Sequence, residues 1–183
     1  MGLAKIFGFR GRGNRELTDA IYAGIVAAAR QPGLYAQMNV PDTPLGRFEM
    51  LSLHMLFFLE RVEGEAGVIR DIAQDVTDGF FLDLDHSLRE LGISDMGVPK
   101  RMKKLARMFY GRTKAYGDAL RAGDQTALAE ALKRNVRPGD AAWAEAGNLA
   151  AYALATHRHL AAIPTAAIAE GRIDFPVISA EAA

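Results

Sequence analysis

Cysteine is absent from all 183 residues. Its absence excludes a disulfide framework, a thiolate nucleophile, Cys-ligated zinc and iron-sulfur clusters, and it fits a cytosolic or matrix-like compartment. An excess of charge of either sign is also missing. Lys plus Arg and Asp plus Glu number 22 each, so the formal net charge is zero, which argues against a strongly basic nucleic-acid binder and leaves DNA off the expected partners. Long apolar runs are lacking as well. The longest, Met50 to Leu59, contains His54 and is flanked by Arg47 and Glu60-Arg61, well short of the roughly 20 residues that span a bilayer. The amino terminus, MGLAKIFGFRGRGNR, has four basic residues before its first acid, Glu16, but glycines interrupt its apolar pieces. It therefore has no signal-peptide core. Ile6 stands where a myristoylation motif places Ser or Thr. The expectation is a chain that is soluble or, at most, peripheral to a membrane.

What is present is a globular composition, 50% hydrophobic and 24% charged, at a length that suits one domain. Periodic segments read almost throughout with helical spacing, and no clean two-residue alternation is bounded by turns. The sequence predicts an all-α, compact, single-domain bundle of six or seven helices. A first helix is expected from about Arg15 to Arg30, then a loop from Leu34 to Asp42. A second helix starts with Thr43 as its cap and Pro44 at its first position, where a missing N–H costs nothing. Its centre, MLSLHMLFFL, is apolar on most sides and suits the middle of a bundle. A third runs from about Glu65 to Leu91, with a bend considered at Gly79 and a left-handed stop at Gly92. A fourth opens at Pro99 and lasts to Gly123. Asp124 caps a short fifth, Asp140 caps an Ala-rich sixth reaching about Ile163, and Pro164 begins a last turn or two. In domain terms residues 1–14 read as a flexible basic terminus, 15–170 as the helical domain and 171–183 as a tail.

Zero net charge conceals segregation. From Glu60 to Asp95 ten acids face three arginines, whereas from Lys100 to Arg121 eight cations face one acid, Asp118. Lys100, Lys104, Arg107, Lys114 and Arg121 share one side of the fourth helix, opposite an apolar stripe of Val98, Met102, Leu105, Phe109, Tyr116 and Leu120. The basic side reads as a solvated face, paired or not with the acidic third helix, or as a docking surface for ribosomal RNA, anionic lipid head groups or an acidic partner.

Sites of chemistry are scarce. Asp83-Leu84-Asp85-His86 holds one Asp-x-x-His, where a di-iron bundle needs two such motifs and two further carboxylates. His157 and His159 fall on different helix faces. His54 reads as a hydrogen-bonded core residue. Gly8 to Gly13 resembles a glycine-rich loop only superficially, because no strand precedes it. No cofactor is expected, and binding explains the chain better than catalysis. A metal- or haem-binding bundle using Asp83, His86 and His54, and an RNA- or ribosome-binding adaptor using Arg107 and Arg112, stand as alternatives.

Two long segments carry a resemblance. Tyr35-x-x-Met38-Asn39-Val40-Pro41-Asp42-Thr43-Pro44-x-Gly46-Arg47-Phe48-Glu49-Met50, followed by Leu53-His54, is the first. The second is Phe80-Phe81-Leu82-Asp83-Leu84-Asp85-x-Ser87-Leu88-Arg89-Glu90-Leu91-Gly92-Ile93-Ser94-Asp95, then Val98-Pro99-Lys100-Arg101-Met102-Lys103-Lys104-Leu105, Phe109-Tyr110-Gly111-Arg112 and Ala115-Tyr116. Together they resemble the ubiquinol-cytochrome c chaperone family over about residues 35–120. The resemblance implies a non-catalytic assembly factor for respiratory complex III that binds newly made cytochrome b. Mitochondrial members work with a small partner protein near the ribosomal tunnel exit. With no transit peptide or membrane anchor legible in the sequence, the expectation is a bacterial member, cytoplasmic and peripheral or not at the inner membrane, or the matrix side in a eukaryote. Within the family-like region, Lys100, Arg101, Lys103, Lys104, Arg107 and Arg112 are candidates for meeting a client, ribosome or membrane surface, with Tyr110 beside them. Met96 and Met108, with Met38, are expected to be exposed for client contact, whereas Met50, Met55 and Met102 are expected in the core. Asp83, Asp85 and Arg89 complete the candidates; Arg89, Glu90 and Asp95 beside Lys100-Arg101 also read as an internal network fixing the turn between the third and fourth helices.

Overall fold

A computed structural model describes residues 11–179. Most of the basic terminus, with Gly2, Ile6 and Gly8 to Arg10, and the last four residues of the tail lie outside the described residues. The described chain is an all-α bundle, as the periodicity predicts, and holds no strand. Helix α1 covers Gly11–Ala29, beginning a turn before the expected start, and α2 is a short helix, Pro32–Ala36. The loop expected from Leu34 is thus helical in its first turn, with Pro32 opening it at a position that needs no donor. Helix α3, Pro44–Val62, starts as the sequence signals, the Thr43 hydroxyl accepting the Gly46 N–H at 3.1 Å. Helix α4, Val68–Glu90, runs through Gly79 as one element and stops at Gly92, φ +78°. Helix α5, Val98–Ala122, follows with Pro99 in its first turn and ends at Gly123, also left-handed. Helix α6, Gln125–Val136, is capped by the Asp124 carboxylate, which accepts the Ala127 N–H at 2.9 Å. Helices α7, Ala146–Ala161, and α8, Thr165–Ala169, complete the set.

Around α3 the other long helices assemble. Met50, Leu53, Met55, Leu56, Phe57 and Phe58 are all buried, on several sides of the helix at once, because it meets α1, α4, α5, α6 and α7 in turn. Helices α4 and α5 pack on each other as a hairpin whose base contacts α3.

Two sequence expectations fail here, for one reason. Asp140 does not cap α7, which begins six residues later. Between them the chain turns so that Trp143 enters the core, its indole N–H donating to the Met38 carbonyl at 3.2 Å. Met38, expected to be exposed, is buried in the same junction. Local spacing suited a longer helix and an exposed Met38, but burying an indole and satisfying its donor outweighs both. Asn39 adopts φ +53°, which asparagine tolerates better than most residues.

The segment after α8 has no regular structure, yet it lies on the bundle. Ile173, Phe175 and Ile178 pack against the core. Gln31 holds this stretch by both ends of its amide, donating to the Pro176 carbonyl at 3.0 Å and accepting from the Ile178 N–H at 2.8 Å. Gly33 lets Ile178 approach; a Cβ there would sit 2.4 Å from its Cγ2.

Candidate functional site

The candidate residues cluster on the α4–α5 hairpin, but the structure divides them sharply along its length. At the base, Phe80 and Phe109 are buried with ring centroids 5.0 Å apart, and Phe81 and Tyr110 stack beside them. Arg112 is one of the sequence candidates for a partner. It points inward, forming a two-pronged pair with Glu49 of α3 at 2.5 Å on each prong. Glu49 is fully buried. Burial pushes its carboxyl pKa up, against the lowering pull of the Arg112 guanidinium. Arg112 also sits 5.9 Å over the Phe48 ring. It is a tertiary clamp between α3 and α5. Arg121 at the end of α5 meets Glu60 at 2.7 Å, Asp118 at 2.8 Å and Glu63 at 3.7 Å, and Lys114 reaches Asp118 at 4.0 Å. The acids that neutralise this half of α5 come from α3, its C-cap and α5 itself, so a pairing of the basic face with the acidic preceding helix is not how the charges are met.

Acidic α4 turns elsewhere. Asp83 accepts the Tyr22 hydroxyl of α1 at 2.9 Å, a bond that together with burial raises the tyrosine pKa. Asp83 is thus an internal partner, half-buried. Arg89 gathers Asp85, at 2.6 Å, and Asp95 across the connecting turn. Of the network expected to fix that turn, Arg89 and Asp95 are joined, with Asp85 as the third member, while Glu90, Lys100 and Arg101 take no part in it.

The far half of the hairpin is different. Of residues 85–108, Val98 alone is buried. Lys100, Arg101, Lys103, Lys104 and Arg107 are exposed, and their side chains take part in no ion pair or hydrogen bond among the described residues. Met96, at the turn, is 93% exposed, Leu91 is 59% exposed, and Leu82 and Tyr110 are exposed farther down. Met108, expected on the surface, is half-buried against the core, as is Met102. Of the candidate residues the tip thus gathers five cations with Met96, and Tyr110 follows one turn below Arg107.

His54, in the centre of α3, is fully buried. Its Nδ1 lies 2.7 Å from the Met50 carbonyl, which can only accept, so the proton is on Nδ1; Nε2 then accepts the Tyr152 hydroxyl at 2.8 Å. Desolvation lowers its pKa to about 4. Both nitrogens are engaged, His86 is exposed, and among the described residues no group of three or more His, Asp or Glu side chains is placed to hold a metal ion. The Asp83, His86 and His54 set of the metal or haem alternative is not brought together as a site. The described helices also contain none long and apolar enough to cross a membrane. Open clefts of about 510 Å³, lined by Ala129, Lys133 and Trp143 among others, and about 380 Å³, lined by Pro41, Leu45 and Arg137 among others, involve none of the candidate residues.

Sequence reasoning missed Glu49 as a tertiary partner, and with it the role of Arg112. The available signals were an acid adjoining the apolar run of α3, since buried charges are seldom left unpaired, and the place of Arg112 at the edge of the apolar stripe of α5.

Comparison with known proteins adds the family. The model of the ubiquinol-cytochrome C chaperone family matches residues 36–175, well beyond the 35–120 region carried by the sequence motifs. The crystal structure of the Cbp3 homolog from Brucella abortus superposes with a TM-score of 0.86 at 53% sequence identity, covering 94% of this chain and 96% of that one. None of the curated proteins compared with the chain is a match.

Proposed function

This chain belongs to the ubiquinol-cytochrome c chaperone family, and from that premise we propose that it binds newly made cytochrome b and promotes its assembly into respiratory complex III. The observation that carries the reading is the family match over 36–175 together with 53% identity to the Cbp3 homolog along nearly the whole of both chains. A role in binding rather than catalysis suits the site, since its exposed lysines and arginines have, among the described residues, no paired group that would activate them and stand beside exposed apolar side chains. Leu82, Leu91, Met96 and Tyr110 offer exposed apolar surface on one hairpin, the kind of surface that marks interaction with apolar segments. The chaperone acts from the cytoplasmic side of the membrane that receives the client.

Deletion in the native host tests the proposal. Complex III and cytochrome b are expected to fall while the cytochrome b transcript persists; a normal level of assembled complex III in the deletion strain would sink the reading. Photo-crosslinking from Leu82 and Tyr110 is expected to trap cytochrome b, and the same samples read whether a small partner chaperone or the ribosome accompanies it.

A further inference from the structure

Helix α5 treats its cations in two ways. In its C-terminal half Arg112, Lys114 and Arg121 each meet an acid. In its N-terminal half Lys100, Arg101, Lys103, Lys104 and Arg107 meet none among the described residues. At 1.5 Å per residue these five cations lie within about 15 Å of the turn that joins α4 to α5. Of the three acids between residues 85 and 107, Asp85 and Asp95 are already bound to Arg89. Glu90 is exposed. Uncompensated positive charge therefore collects at the free end of the hairpin. At that same end Leu91 and Met96 project into solvent.

We propose that the tip of the α4–α5 hairpin docks the protein onto an anionic phospholipid bilayer, with Met96 and Leu91 entering the boundary between head groups and acyl chains and the five cations lying over lipid phosphates. The inference does not depend on the identity of the client. Charge complementarity selects an anionic surface, and the apolar pair narrows the choice further. Met96 and Leu91 stand at the apex of a projection, outside the open clefts, which a bilayer accommodates without a matching shape. Apolar insertion plus electrostatic attraction is also how interfacial elements hold to anionic membranes. Single-stranded RNA would instead call for an aromatic platform among the cations. The stretch that carries the cations, residues 100–107, contains no aromatic, and Tyr110, one turn below Arg107, is a single ring tilted against Phe81 with centroids 6.2 Å apart.

Vesicle co-sedimentation of the full chain, without client, tests the proposal. The protein is expected to sediment with vesicles of phosphatidylcholine and phosphatidylglycerol, to remain in solution with phosphatidylcholine alone, and to be released by salt, because exposed charges are screened beyond about 8 Å at physiological ionic strength. Each surface cation contributes about fivefold to such binding. Lys100→Glu, Lys104→Glu and Arg107→Glu together should weaken partitioning on the order of a hundredfold or more, with the helical circular dichroism unchanged. Met96→Asp, which alters no cation, should weaken it severalfold. The proposal is overturned if the wild-type chain stays in solution with the anionic vesicles, or if Met96→Asp and the folded triple variant sediment as the wild type does. An RNA oligonucleotide bound through the same three cations by a chain that ignores vesicles would assign the face to RNA and equally overturn it. If the triple variant does not fold, Met96→Asp decides alone, unchanged partitioning counting against the proposal. A negative result here leaves client crosslinking intact, so the two readings fail separately.

Discussion

The two halves of α5 carry the same kind of residue in opposite circumstances. Arg112 lies against fully buried Glu49 and clamps α5 to α3, whereas the five cations from Lys100 to Arg107 are exposed and meet no acid among the described residues. The difference teaches that a cation's role follows from what the neighbouring helices bring to it. Near the base, α3 supplies Glu49 and Glu60; near the tip only α4 and the connecting turn are within reach, and Arg89 has taken an acid from each, Asp85 and Asp95. Charge near the base therefore maintains the fold, and charge at the tip is free for association.

The largest effect that can break this comparison is Arg112→Ala. It strands a buried carboxylate, and unfolding in denaturant should show a loss of about 3–5 kcal/mol. Adding Glu49→Leu should recover part of the loss, because the cost lies in the unpaired charge. A near-neutral Arg112→Ala would place the base and the tip in one class.

Acidification tests the body independently of α5. Burial holds the folded-state pKa of His54 at about 4, below its ordinary 6.5. The unfolded chain thus binds the proton first, and the stability His54 contributes is present above pH 6.5 and lost as pH falls from there toward 4. The span corresponds to about 3 kcal/mol. Glu49 is shifted upward by burial, so its own contribution runs the other way, being lost as pH rises through the folded value. Comparison of the wild type with His54→Gln in denaturant titrations across that window isolates the histidine: the variant should lose stability less steeply with acid.

Arg121→Ala should cost about 1 kcal/mol, between the two extremes, since its side chain is half in solvent while Glu60 is almost enclosed. The smallest stability effect belongs to the tip. Lys100→Glu, Lys104→Glu and Arg107→Glu should each change unfolding free energy by no more than about 0.5 kcal/mol. A large destabilisation by any of them would show that the tip cations serve the fold after all, and the comparison would collapse.

Much of the architecture is legible in the sequence because its signals are local. Thr43 with Pro44, Gly92, Gly123 and Asp124 mark helix ends through bonds made within a few residues, and each does so in the structure. The apolar girdle of MLSLHMLFFL places α3 at the centre, and His54 within it is the bonded core histidine that its surroundings imply. Asp140 has the same local signature as Asp124 but fails as a cap, since Trp143 three residues later is drawn into the core and bonds to Met38, 105 residues away in the chain. Arg112 misleads for the same reason. In sequence it stands among the cations offered to a partner, although on a helical wheel it falls at the edge of the apolar stripe near Leu105 and Tyr116, and nothing within a turn of it reveals that Glu49, 63 residues earlier, waits at the other side of the interface.

By itself the sequence determined an all-α bundle built around one apolar helix, a family resemblance, and an acidic helix followed by a basic one, all properties of periodicity, caps and residue order. Only the tertiary structure decided which charges remain free. An ion pair depends on the distance between side chains from different helices, and that distance is set by how the helices pack, with α3 lying along the base of α5 and leaving its tip uncovered.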